Sequence, residues 1–174
     1  GGHGGYVSLG EGYTNGGSLL LTKTDSPKDN KGLWAFVRQS DGAYKVYNFS
    51  TGLSKVLGFT GSEADARATM VAEGAEGYTT AFDGSVKFDG TEGYIKLKGT
   101  TNYWNKRGNF LALWNSGGQP TGDQGSKFYL NEAEYVSYPD EYIHEISDIK
   151  GIESYEPKNP NTLWYTTSAE AAGV

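Results

Sequence analysis

Short apolar runs separated by glycine-rich turns recur along this chain, and their spacing repeats. Tyr6–Gly10 and Lys55–Gly58 are alike, and the stretch at Tyr103-Trp104 is a third version. Each is followed by an apolar run: Ser18–Leu21, Ala68–Val71 and Phe110–Trp114. A later run then closes each set, at Leu33–Val37, Thr80–Phe82 and Lys127–Leu130. Such short runs, bounded by turn formers and rich in β-branched and aromatic residues, predict strands. Alternating runs precede two of the sets, at Tyr44–Asn48 and Tyr94–Lys98. The approach to closure is also shared, because Asp29–Trp34 parallels Asp123–Phe128.

Four strands per unit, three times over, predict an all-β chain folded as a β-trefoil, a closed barrel capped by hairpins. The second unit runs from Tyr44 to Asp89 and the third from Tyr94 to Tyr135. The first unit lacks its opening strand, which the repeat places before Gly1. A barrel short of one strand leaves its neighbours with open edges, so a segment upstream, or a partner, is expected to supply it.

Residues 1–135 are therefore read as the trefoil. One stretch within them reads two ways. Ser62–Asp65 resembles a capping box before an Ala-rich run, and Ala64 to Ala72 taken alone would be helix. The repeat calls for a strand near Thr69 and is preferred, because a threefold pattern outweighs local propensity. Residues 136–160, with Pro139, Pro157 and Pro160 among acids, read as a linker or strap. Residues 161–174 read as the first strand of a following domain.

Composition narrows the function. Gly (26 residues) and Tyr (13) are abundant while Met occurs once, a balance suited to turns and pleated surfaces. The net charge of −6, with no basic run, disfavours a nucleic-acid partner. No apolar stretch reaches the roughly 20 residues of a membrane span. The absence of cysteine rules out disulfides and thiolate metal sites.

The three-unit pattern resembles ricin-type β-trefoil domains over residues 1–135. Gly32–Val37 and Tyr44–Asn48 look like segments of such domains in secreted glycosidases of Bacteroidetes. Ricin-type units usually carry Gln two residues before the closing Trp, where this chain has Gly32 and Ser126. The tail Asn161–Ala169 is similar to the opening of glycoside hydrolase family 95 enzymes, which act on α-L-fucosides and related galactosides. The resemblance implies a module secreted to the periplasm or surface of a Gram-negative bacterium. Its implied partners are an attached catalytic domain and a galactose- or fucose-containing glycan.

Catalytic chemistry finds little support in the residues. The 21 acids lie in turns without a distinctive pair. The two histidines, His3 and His144, lack partnered settings. No ligand spacing suits a metal, and no phosphate loop is present; no cofactor is expected. Sugar binding asks instead for an aromatic face with polar side chains around it. The densest such group is Tyr103, Trp104, Asn105, Arg107 and Asn109, followed by Trp114, Asn115 and Asp123. Against this, Trp114 ends an apolar strand and suits a barrel cap, while Asn105 and Asn109 suit turns.

The expected function is a non-catalytic carbohydrate-binding module, with Trp104 or Trp114 exposed. The alternative is a structural spacer packed on a catalytic domain, with those tryptophans buried. A protein-binding trefoil is a weaker third reading, because the loop Gly117–Gly122 is too glycine-rich to protrude rigidly.

Overall fold

Alternation along Glu92–Leu97 shows how the sheet is built. Gly93, Ile95 and Leu97 are buried, while Glu92, Tyr94 and Lys96 lie on the opposite, partly exposed face. That period of two makes one face of the strand core and the other wall. The computed structural model describes residues 5–9, 20–22, 30–108, 110–132 and 164–168.

The described strands are β1 (Tyr6–Ser8), β2 (Leu20–Thr22), β3 (Leu33–Arg38), β4 (Tyr44–Asn48), β5 (Lys55–Thr60), β6 (Ala68–Ala72), β7 (Tyr78–Thr79), β8 (Phe82–Ser85), β9 (Glu92–Leu97), β10 (Tyr103–Arg107), β11 (Phe110–Trp114), β12 (Phe128–Glu132) and β13 (Trp164–Ser168). All their pairings are antiparallel. Following them from β13 leads through β3, β4, β8, β9 and β12, and back to β13. These six strands thus close on themselves and leave no open edge among them. Three hairpins, β1–β2, β5–β6 and β10–β11, accompany that ring.

One strand of the ring comes from the far end of the chain. Trp164–Ser168, expected to open a further domain, lies between β12 and β3 and also touches β1. Its pairings include Leu130↔Thr167 and Trp164↔Ala35. An isolated strand signal carries no information about its partner, so the sequence placed it outside. Backbone donors and acceptors on β12 and β3 are satisfied by it.

The run from Ser62 resolves as bends followed by β6, not as a helix. Asp65 has φ 69°, a left-handed conformation that stops any helix there. The shared approach to closure is also visible, as a short 3₁₀ turn at Asn30–Gly32 and another at Gln124–Ser126.

Inside the ring, Trp34, Phe36, Val46, Phe59, Phe82, Ile95, Leu97, Trp104, Leu113 and Phe128 form one buried cluster. Each such side chain contributes roughly 1.5–3 kcal/mol of transfer free energy. The Trp34 indole N–H donates to the Val7 carbonyl at 2.9 Å, which fixes β1 against β3. β3 is buried on both faces. Its Leu33, Ala35 and Val37 join Tyr47, Phe49, Val56 and Val71 in a second cluster outside the first. Burial, helped by Glu73 nearby, pushes the Tyr47 phenol up to about 12.

Candidate functional site

The β10–β11 hairpin carries most of the residues singled out from the sequence, and pairing sorts them onto two faces. Trp104 lies opposite Leu113, and Tyr103 lies opposite Trp114. Residues opposite each other share a face. Trp104 and Leu113 therefore point into the core, whereas Tyr103, Asn105, Arg107, Phe110, Ala112 and Trp114 share the other side.

Trp104 cannot be a sugar platform. It is 1% exposed, and its ring meets Phe82 at 5.3 Å and Phe128 at 5.8 Å, both edge to face. Its indole N–H has no acceptor among the described residues. The sequence presented Trp104 beside polar neighbours, but strand alternation turns it inward and them outward.

Asn105 faces outward and is buried all the same, because the loop before β12 folds onto it. Its Nδ2 donates to Asp123 Oδ2 and to Ser126 Oγ, each at 3.0 Å. Asp123 Oδ1 accepts the Gly125 N–H at 2.9 Å. The backbone of Gly125 comes so close that a Cβ there would lie 2.9 Å from the Asn105 amide. Glycine is required by this approach. Asn105 and Asp123 thus anchor a loop.

Trp114, Arg107 and Tyr103 remain partly exposed on the outer face. The Arg107 guanidinium lies 4.4 Å from the centre of a Trp114 ring. One of its nitrogens pairs with Asp65 Oδ1 at 2.7 Å. Asp65 reaches the site because its segment runs along β11. The Asp65 N–H donates to Leu113 O at 2.8 Å, and Leu113 N–H donates to Ala66 O at 2.9 Å. Arg67 then bridges Ala112. Ala112, between Phe110 and Trp114 on that face, is itself buried, 2% exposed.

Asn115 is exposed, and its Oδ1 accepts the Gly117 N–H at 3.1 Å, a turn contact. Asn109 lies outside the described residues. Of the expected group, the structure brings Tyr103, Arg107 and Trp114 together and assigns Trp104, Asn105 and Asp123 to packing. Sequence reasoning missed Asp65, Arg67 and Phe110. The first two sit in a stretch distant along the chain, with nothing local to connect them to β11.

A second polar cluster lies on the outer wall at β9 and β12. The Tyr94 hydroxyl donates to Glu92, and Lys127 Nζ lies 3.3 Å from the same carboxylate. The Tyr94 hydrogen bond, with Lys127 behind it, holds the Glu92 carboxyl below its ordinary value. Burial, then the Glu92 contact, pushes Tyr94 up to about 12. Lys96 pairs with Asp83 at 2.8 Å and Lys98 with Asp41 at 2.6 Å along the same strand and the turn after it. These contacts tie neighbouring strands and turns together.

Comparison with protein-family models, curated proteins and solved structures finds no match to this chain. Among the described residues, no helix is long and apolar enough to cross a membrane.

Proposed function

We propose that the chain is a non-catalytic β-trefoil module that binds carbohydrate on the outer face of its β10–β11 hairpin. The trefoil reading is supported by the closed ring of six strands, its three hairpins and the three sequence units. In that reading, β13 is the opening strand of the first unit, delivered from the far end of the chain. The parent is a secreted, periplasmic or cell-surface glycan-degrading enzyme, as the likeness to ricin-type domains suggests. The likeness of the tail to family 95 openings falls largely on β13 residues. The proposal thus extends to a glycan-degrading catalytic domain, with a galactose- or fucose-containing glycan as ligand, and not to a particular enzyme.

One observation carries the binding reading. Trp114 is part-exposed, and beside it Arg107 is fixed by Asp65, so an aromatic ring, a fork of donors and a carboxylate meet at one place. A pyranose offers complementary groups: C–H bonds for a ring and hydroxyls for charged donors and acceptors. Charge-assisted hydrogen bonds contribute more than neutral ones. The site is part-exposed, which suits a weak module acting beside an enzyme.

The spacer reading draws on a different observation, the burial of Trp104 and the packing role of Asn105 and Asp123. A glycan array with the whole chain separates the two. Carbohydrate binding predicts signal that Trp114→Ala and Arg107→Ala abolish while both variants keep the parent melting temperature. Silence on galactosylated and fucosylated glycans, from a folded chain, leaves the spacer.

A further inference from the structure

The face that bears Trp114 holds a second guanidinium, and its hydrogen-bonding fork is not used by a carboxylate. Arg67 Cζ lies 3.8 Å from the centre of the Phe110 ring. A guanidinium stacked on an aromatic ring loses rotamer freedom but keeps its in-plane N–H groups available. Among the described residues Arg67 is exposed and enters no ion pair. By contrast, Arg107, Lys45, Lys96, Lys98 and Lys127 are each paired with an acid. What distinguishes Arg67 is that its guanidinium is held against a ring while its fork has no acid partner among the described residues.

Placement adds to this. Phe110 and Trp114 lie on one face of β11, with their Cα positions about 13 Å apart along the strand. That face therefore presents an exposed guanidinium beside Phe110 and, farther along the strand, a part-exposed indole.

We propose that this face takes an acidic oligosaccharide, with a uronate carboxylate on the Arg67 fork and another sugar ring of the same ligand beside Trp114. The inference rests on the carbohydrate-binding reading and specifies its ligand. A planar carboxylate accepts two parallel N–H bonds from a planar fork, a match that a neutral hydroxyl cannot make.

The test is calorimetric titration of the whole chain with a galacturonic acid oligomer, its fully methyl-esterified form, a neutral galactan oligomer and a sulfated galactan oligomer. The acid form is expected to bind at least about tenfold more tightly than its ester, as charged hydrogen bonds contribute more than neutral ones. Arg67→Gln removes that difference, Arg67→Lys restores only part of it, and Lys87→Gln, at an exposed lysine elsewhere, leaves it intact. Added salt weakens the acid form alone. Equal binding of acid and ester, or an unaffected Arg67→Gln variant, overturns the acidic ligand and leaves sugar binding standing. Binding confined to the sulfated oligomer overturns the uronate. No binding of any oligomer, with a silent glycan array and a normal melt, overturns both readings.

Discussion

Asn105 donates through Nδ2 to the Asp123 carboxylate at 3.0 Å, tying the outer face of β10 to the loop that leads into β12. Ser126 Oγ accepts from the same amide nitrogen, and Gly125 packs directly over it. The polar residues that looked like ligands for a sugar are here partners for each other. Loss of the amide leaves Asp123 and Ser126 short of a donor, so Asn105→Ala is expected to cost about 1–3 kcal/mol. Gly125→Ala should cost a similar amount, about 1–3 kcal/mol, by forcing a Cβ against the amide. In the Asn105→Ala background that penalty should shrink, because the obstructing atoms are gone. Urea unfolding of the four proteins measures this coupling, and strict additivity would show that the close approach is not what demands glycine.

The two tryptophans of the hairpin should respond in opposite ways. Trp104→Ala empties the centre of an aromatic cluster and is expected to cost about 3–5 kcal/mol. Trp114→Ala removes a part-exposed ring and should cost less than about 1 kcal/mol. Denaturant midpoints distinguish them. Similar losses at both positions would mean that Trp114 is as structural as Trp104.

The Arg107–Asp65 pair is partly solvated, with 39% and 59% of its side chains exposed. A double-mutant cycle should therefore give a coupling of only about 0.2–1 kcal/mol. A value well beyond that would reveal a desolvated pair, and a structural rather than ligand-facing role.

Glu92 sets a pH dependence whose sign follows from its partners. Its folded-state value is depressed, chiefly by the Tyr94 hydroxyl, so the unfolded chain takes up a proton first as pH falls. The stability it contributes is present above the ordinary glutamate value of about 4.3 and is lost as pH falls through the folded value. Melting temperatures recorded on acidification should decline less steeply for Glu92→Gln than for the parent chain. Parallel declines would remove Glu92 from the acid response.

A chain ending at residue 160 lacks β13 and should lose its cooperative melt, because β12 and β3 would each expose an unpaired edge. Light scattering would report the aggregation that such edges promote. An unchanged melting curve would show that the other strands close without it.

Sequence by itself determined the all-β class and the position of nearly every strand, because hydrophobic alternation and glycine turns are local signals. Tyr44–Asn48 and Phe110–Trp114 were legible to the residue. The place of Trp164–Ser168 was not legible, since its pairing with β3 depends on a chain reversal that no local pattern encodes. The same limit applies to the site. The sequence gathered Tyr103, Trp104, Asn105, Arg107 and Trp114 by proximity along the chain. Only the tertiary structure separated them by face, sent Trp104 into the core, and brought Asp65 and Arg67 alongside β11 from a distant segment. A sheet turns neighbours in sequence to opposite sides and joins residues far apart on one, so chemistry on its surface is decided by register rather than by order.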